Sequence, residues 1–272
     1  MKKKKLIGGE FYASKFKSKN KNFPKIFNNG TFFQSGRSGL NFLINNLKQM
    51  NKIYLPAYSC HSINDIIKDK KKIIYYDIDK NFHPILKKKI KNSLIIISDY
   101  FGKKISVKNF DDNLIIHDIS HSWFNYKKIK KIKNYYYFSS LRKFGFYNLG
   151  GWCSLKFKKK LKISENKLSN KLYKLRNEKY NLINNKLLYD NLINQNYLVK
   201  KFNNLEREII KDKKIIQKKN IANITNLNLT RIGKIRKKNY YYLKKKINSK
   251  YIIDLNLKKN ETPLFFLLKF FN

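Results

Sequence analysis

The chain has 272 residues, 42% of them hydrophobic and 15% aromatic, and a formal net charge of +45. That apolar content excludes a disordered chain, and the length allows one large domain or a domain with a smaller appendage. The charge alone suggests a polyanion partner, but lysine outnumbers arginine 56 to 6 and alanine occurs only at Ala13, Ala57 and Ala222, which is AT-rich codon bias rather than a specific nucleic-acid reader, for which arginine forks are preferred.

In chain order, the opening "MKKKKLIGGEFY" is basic but lacks the apolar core of a signal peptide. The stretch "SGLNFLINNLKQM" (38–50) places Leu40, Phe42, Leu43 and Leu47 at helical spacing. Then come short β-branched and aromatic runs: "KIYLP" (52–56), "KIIYYDI" (72–78), "SLIIIS" (93–98), "NLIIHDIS" (113–120), "YYYFSS" (135–140) and "GWCSLKF" (151–157). Several are almost continuously apolar, as strands buried on both faces are. A weaker helix is expected over 61–70. Strands alternating with helices predict an α/β domain with a largely parallel sheet. Near residue 160 the pattern turns helical, and the tail "PLFFLLKFF" reads as a buried strand, too short to span a membrane. Cys60 and Cys153 are expected to be reduced thiols of a cytoplasmic protein.

Three predicted strand ends carry polar groups. In "QSGRSGL" (34–40), Gly36 lets backbone N–H groups approach an anion at a helix start, and Arg37 and Ser38 could add side-chain donors. Ser35 as a plain N-cap is the simpler reading of that stretch alone. In "LIIHDISHSW" (114–123), Asp118 ends an apolar strand and His121 follows three residues later. A metal site of His117, Asp118 and His121 is disfavoured, because neighbouring strand residues face opposite ways. An acid/base pair, a carboxylate awaiting a cation and an ordinary turn remain open. In "FSSLRKFGFYNLGGW" (138–152), Lys143 follows Ser139 and Ser140 and precedes a glycine pair. A lysine used for covalent chemistry belongs at such a strand end, whereas an isolated one is by default a surface charge. Together, an anion cradle, a buried carboxylate and a lysine match the needs of pyridoxal 5'-phosphate.

In their order and spacing, "IGGEFY", "FFQSGRSGL", "IYLPAYSCHS", "IIYYDID", "SDYFG", "IIHDISHS" and "FSSLRKFGFYNLGGW" resemble the DegT/StrS-type sugar aminotransferases, over residues 7 to 157, with "TPLFF" as a candidate further echo. The resemblance implies a fold-type-I pyridoxal-phosphate transferase, with a mostly parallel sheet flanked by helices. It implies a large cofactor-binding domain over 1–160 and, over 161–272, a helical segment with an incomplete C-terminal small domain. Lys143 would condense with the cofactor aldehyde and move the proton. Asp118 would pair with the pyridine nitrogen, and His121 would lie near the ring or its 3-hydroxyl. Gly36, Arg37 and Ser38, with Ser139 or Ser140, would hold the phosphate. The position that stacks on the ring in many relatives is Cys60, with Tyr58 or Tyr100 as substitutes. Lys143 argues against the dehydratase branch, in which histidine replaces the lysine. The implied activity is amino transfer, with glutamate as donor, to a nucleotide-linked keto sugar for surface polysaccharide, by a homodimer. The alternatives are an inactive relative of the fold and, less favoured, a basic polyanion binder.

Overall fold

In the computed structural model the described residues are 25–86, 89–106, 110, 112–129, 131–144, 150–156 and 229–269, with isolated positions between 171 and 208. Seven strands form one sheet: β1 (Thr31–Phe33), β2 (Ile53–Pro56), β3 (Ile73–Tyr76), β4 (Leu94–Ser98), β5 (Leu114–Asp118), β6 (Tyr135–Ser140) and β7 (Gly151–Cys153). Their order is β1-β7-β6-β5-β4-β2-β3. Strands β6, β5, β4, β2 and β3 run parallel, and β7 is antiparallel to both β6 and β1. The sheet is therefore mostly parallel, as the sequence predicts.

The central strands are built from Leu and Ile because both of their faces are covered. Every residue of β4 is buried. On one face, Phe33, Leu55, Ile96, Ile116 and Phe138 pack with Leu40 and Leu43 of helix α1 (Gly36–Asn46). On the other, Ile95, Ile97 and Ile115 form a second layer, and Phe32, Ile119, Tyr137 and Trp152 a third cluster around Trp123. Each fully buried aliphatic side chain contributes roughly 1.5–3 kcal/mol of burial.

Three elements differ from the sequence reading. Strand β3 is an edge strand, with Ile74 and Tyr75 exposed, so its apolar run does not mark burial on both faces. Helix α2 spans only His61–Asn64. The tail is not a sheet strand: among the described residues it makes one isolated bridge, Ile252 to Leu268. Most of the helical region expected after 160 lies outside the described residues, as does "IGGEFY". Helix α3 (Leu229–Lys246) is followed by an extended segment that returns to the sheet.

That return is specific. Asn125 Nδ2 donates to the Gly102 carbonyl at 2.6 Å, and its Oδ1 accepts the Thr262 N–H at 2.7 Å. Leu264 N–H donates to the Phe101 carbonyl at 2.8 Å. Buried Glu261 accepts the Lys104 and Lys258 N–H groups at 3.0 and 2.8 Å. Gly102 has φ +103°, and a Cβ there would run into the Thr262 carbonyl, so only glycine fits this junction. Residues 258–264 are thereby tied to the loops that leave β4 and β5.

Candidate active site

From β2 the chain moves outward to β3, and from β4 it works the opposite way to β5 and β6. In open α/β sheets, ligands bind outside the carboxyl ends of strands where the order reverses in this way. A cavity of about 320 Å³ lies there, within the ~300–1,000 Å³ typical of small-molecule sites. Its wall takes residues from the carboxyl ends of β2, β4, β5 and β6 and from the start of α1.

The pleat decides which side chains reach it. Ser98, Asp118 and Phe138 lie in one row across β4, β5 and β6. Phe138 packs on the α1 face, so Asp118 and Ser140 share that face. Both line the cavity with Gly36, Arg37, His121 and Lys143. Ser139 has the other parity. It is fully buried opposite Trp152, and its hydroxyl finds no partner among the described residues, so of the two serines Ser140 is the one at the cavity. Ser38 is buried and is not a lining residue; its hydroxyl lies 2.9 Å from that of Ser35.

Ser35 caps α1 by accepting the Ser38 N–H at 3.1 Å, and it also lines the cavity, so the capping and anion-cradle readings coexist. A Cβ on Gly36 would come within 2.8 Å of Ser140 Cβ. Glycine is what lets the helix start abut the end of β6.

Asp118 is oriented by a residue the sequence reading missed. Ser120 gives Asp118 both its N–H, at 2.8 Å, and a side-chain hydrogen bond, while its hydroxyl accepts the Ser140 N–H at 2.8 Å. Desolvation pushes the Asp118 carboxyl above the usual carboxylate range, against the pull of these bonds and of the Lys143 charge. His121 is neutral for the same reason: burial, reinforced by Lys143, takes it down to about 3. Its Nδ1 accepts the Phe101 N–H at 3.4 Å, which leaves Nε2 as the protonated nitrogen. Phe265 of the returning segment stands edge-on to the ring, with centroids 6.0 Å apart.

Cys60, Tyr58 and Tyr100 all line the cavity. Tyr100 is buried, and its hydroxyl donates to the Tyr58 carbonyl at 2.8 Å. Tyr58 is 57% exposed and packs on Tyr100 at 5.6 Å. His117 faces away, into a buried network with Asp99 and Tyr135, so it does not join Asp118 and His121. Among the described residues no group of three or more His, Cys, Asp or Glu side chains could hold a metal.

The residues present fit pyridoxal phosphate. Among the described residues the half-buried carboxylate of Asp118 makes no ion pair within 4 Å, although it feels the Lys143 charge, and a protonated ring nitrogen would supply a partner. The α1 start with Arg37 and Ser140 suits a phosphate, and Lys143 on the same wall would supply the amine.

No family model matches the chain, and no curated protein matches it. Solved structures do. AtS13 from Actinomadura melliaura superimposes with a TM-score of 0.50 at 12% identity, over 87% of this chain and 65% of that one. A PLP-bound structure from Clostridium difficile 630 gives 0.34 at 20% identity, over 65% and 54%. Aspartate aminotransferase from Thermus thermophilus gives 0.36 at 11%, over 52% and 44%. The chain spans less than two thirds of the length of each of these structures. At these identities the likeness is one of fold, and the fold is that of the type-I aminotransferases.

Proposed function

We propose that this chain is a pyridoxal-phosphate-dependent aminotransferase that converts a nucleotide-linked keto sugar to an amino sugar, with glutamate as the amino donor. The observation that carries the reading is the convergence of Lys143, Asp118 and the α1 start on one cavity at the strand ends. The sugar substrate, a place in surface-polysaccharide synthesis, a cytoplasmic setting and a homodimer rest on the DegT/StrS resemblance. In this reading residues 1–160 form the large cofactor-binding domain, and 161–272 a helical segment with a partial C-terminal small domain.

When bound, the cofactor supplies the electron sink for breaking the donor's α-C–H bond. This chain's residues do the rest. Lys143 Nζ removes that proton from the donor carbon and, in the second half-reaction, returns one at the carbon of the acceptor. Asp118 would pair with the ring nitrogen and keep it protonated, and Ser120 holds the carboxylate in place for this. His121, whose Nδ1 accepts the Phe101 N–H, would lie near the ring or its 3-hydroxyl and present its Nε2–H there. The first N–H groups of α1, with Arg37 and Ser140, would hold the phosphate.

The test is direct. Purified protein loaded with pyridoxal phosphate should be yellow, borohydride should fix the cofactor onto Lys143, and Lys143→Ala should abolish the adduct. Glutamate should then convert the bound cofactor to its amine form. Protein that stays colourless and shifts DNA at physiological salt would overturn the enzyme reading. A cofactor that binds but never converts would favour an inactive relative.

A further inference from the structure

A carboxylate withdrawn from water tends to take up a proton, and a carboxylic acid cannot pair with a cation. On the reading of the previous section, which this inference presupposes, Asp118 must stay charged to face the ring nitrogen. Desolvation works against that, and four influences oppose it: in falling order, the Ser120 hydroxyl, the Ser120 N–H, the Lys143 charge and His117. The strongest of the four is a neutral hydroxyl and not a cation. It is also the most lasting, because Lys143 is uncharged whenever its amine acts as a base, and His117 turns away toward Asp99 and Tyr135. Tyr100, just past β4, feels the carboxylate too, and burial pushes its hydroxyl up, so it stays neutral. Arg37, Arg142 and His121 share the cavity wall with Asp118.

The placement of that hydroxyl is specific. Ser120 is buried. Its Oγ accepts the Ser140 N–H at 2.8 Å, which leaves its own proton for Asp118, and Asp118 Oδ1 also accepts the Ser120 N–H at 2.8 Å. The bonds therefore run one way, from the β6 backbone through the hydroxyl to the carboxylate, and each polarises the next. Ser140 is the last residue of β6, and Lys143 stands in the 3-10 turn that follows, Leu141–Phe144. The regular pairing of β5 with β6 runs out at the Ile119 N–H, which donates to the Phe138 carbonyl at 3.0 Å. One residue further on, the Ser120 side chain ties the strand end that bears the acid to the strand end that leads to the amine. We infer that Ser120 is a positioning residue whose hydroxyl relays the Ser140 N–H to the Asp118 carboxylate, keeping that group charged and aimed at the ring nitrogen through both half-reactions.

The experiment uses the full chain as wild type, Ser120→Ala, Ser120→Thr and Ser122→Ala. Ser122 is the control for lost packing: it is fully buried in the same loop, but its hydroxyl donates to Asp99. In protein without cofactor, the carboxyl carbon of Asp118, assigned through Asp118→Asn, is titrated by nuclear magnetic resonance. Ser120→Ala should move its midpoint upward and speed hydrogen exchange at the Ser140 amide. Ser120→Thr, which keeps a hydroxyl, and Ser122→Ala should leave the midpoint at its wild-type value. With pyridoxal phosphate isotopically labelled at the ring nitrogen, the alanine variant at 120 should shift that resonance toward the unprotonated form. It should also weaken cofactor binding by roughly 10- to 100-fold, the range of a hydrogen bond to a charged group. Thermal denaturation checks that each variant is folded, and the comparison of Ser120→Ala with Ser122→Ala decides the matter should threonine not fit. A midpoint that does not move in Ser120→Ala, or moves equally in Ser122→Ala, shows that the charge of Asp118 does not depend on this hydroxyl, and the inference is wrong. A wild type that takes up no cofactor overturns the proposed function instead, and the carboxyl titration, which needs no cofactor, separates that failure from this one.

Discussion

Replacing Asp99 should cost this protein much of its stability, by an amount that depends on the substitute. Asp99 is 2% exposed. Its Oδ1 accepts the Ile105 N–H at 2.7 Å and the His117 Nε2–H at 2.8 Å. Its Oδ2 accepts the hydroxyls of Ser122 and of Tyr126, the latter at 2.8 Å. Tyr135 closes the chain of bonds at His117 Nδ1, 2.8 Å away. Asp99→Ala takes the acceptor from four donors, of which the Ser122 hydroxyl keeps a long contact to the Ile119 carbonyl at 3.5 Å. At about 1–3 kcal/mol each, the sum is of order 4–12 kcal/mol, comparable with the roughly 5–15 kcal/mol that holds a domain folded. Asp99→Asn is gentler. Its amide nitrogen belongs on the Oδ2 side, where the two hydroxyls can turn and accept, whereas the Ile105 N–H cannot. What is lost is the charge assistance, about 2 kcal/mol in total. Urea unfolding followed by circular dichroism should place asparagine between wild type and alanine. An alanine variant within 1 kcal/mol of wild type, a margin usual for surface changes, would refute this account of the network.

Acid should destabilise the wild type through His121. Its folded pKa, about 3, lies below its ordinary 6.5, so the stability it contributes is complete above 6.5 and is lost as pH falls. By pH 5 the loss is about 2 kcal/mol, and a His121→Asn variant should not show it in unfolding curves taken between pH 7 and 5. Asp118 works in the opposite sense: its raised pKa means stability falls as pH rises from the ordinary carboxylate value through the folded one, so Asp118→Asn should flatten that limb. Gly102→Ala should lower stability by more than about 1 kcal/mol and expose the segment around Thr262 to protease, because the backbone at 102 is left-handed and the added methyl meets Thr262. Ser35→Ala should cost about 1 kcal/mol by uncapping α1, read as a shift in the unfolding midpoint.

Strands β2, β4, β5 and β6 are legible in the sequence because a strand covered on both faces has no room for polar residues. The same signal misleads at β3, where the apolar run Ile73–Tyr76 sits at an edge and shows Ile74 and Tyr75 to solvent. Strand β1 escapes the sequence reading altogether, since Thr31–Phe33 is too short to display a period. The site is half legible. Lys143, Asp118 and Gly36 stand at punctuated strand ends that can be read from residue type alone. Ser120 and Asp99 cannot, because the partners that fix their roles, Ser140 for the one and His117, Ser122 and Tyr126 for the other, lie 18 to 27 residues away and meet them only in the fold. The choice between Ser139 and Ser140 was within reach: Phe138 is a core residue, and alternation then puts Ser140 on its side.

The junction of Gly102 with Thr262 and Asn125 bears on how the protein should be produced. The far end of the chain is woven into the wall beside His121 rather than trailing from it. A recombinant form ending before Glu261 would strip Phe265 from the imidazole and strand the Lys104 amide.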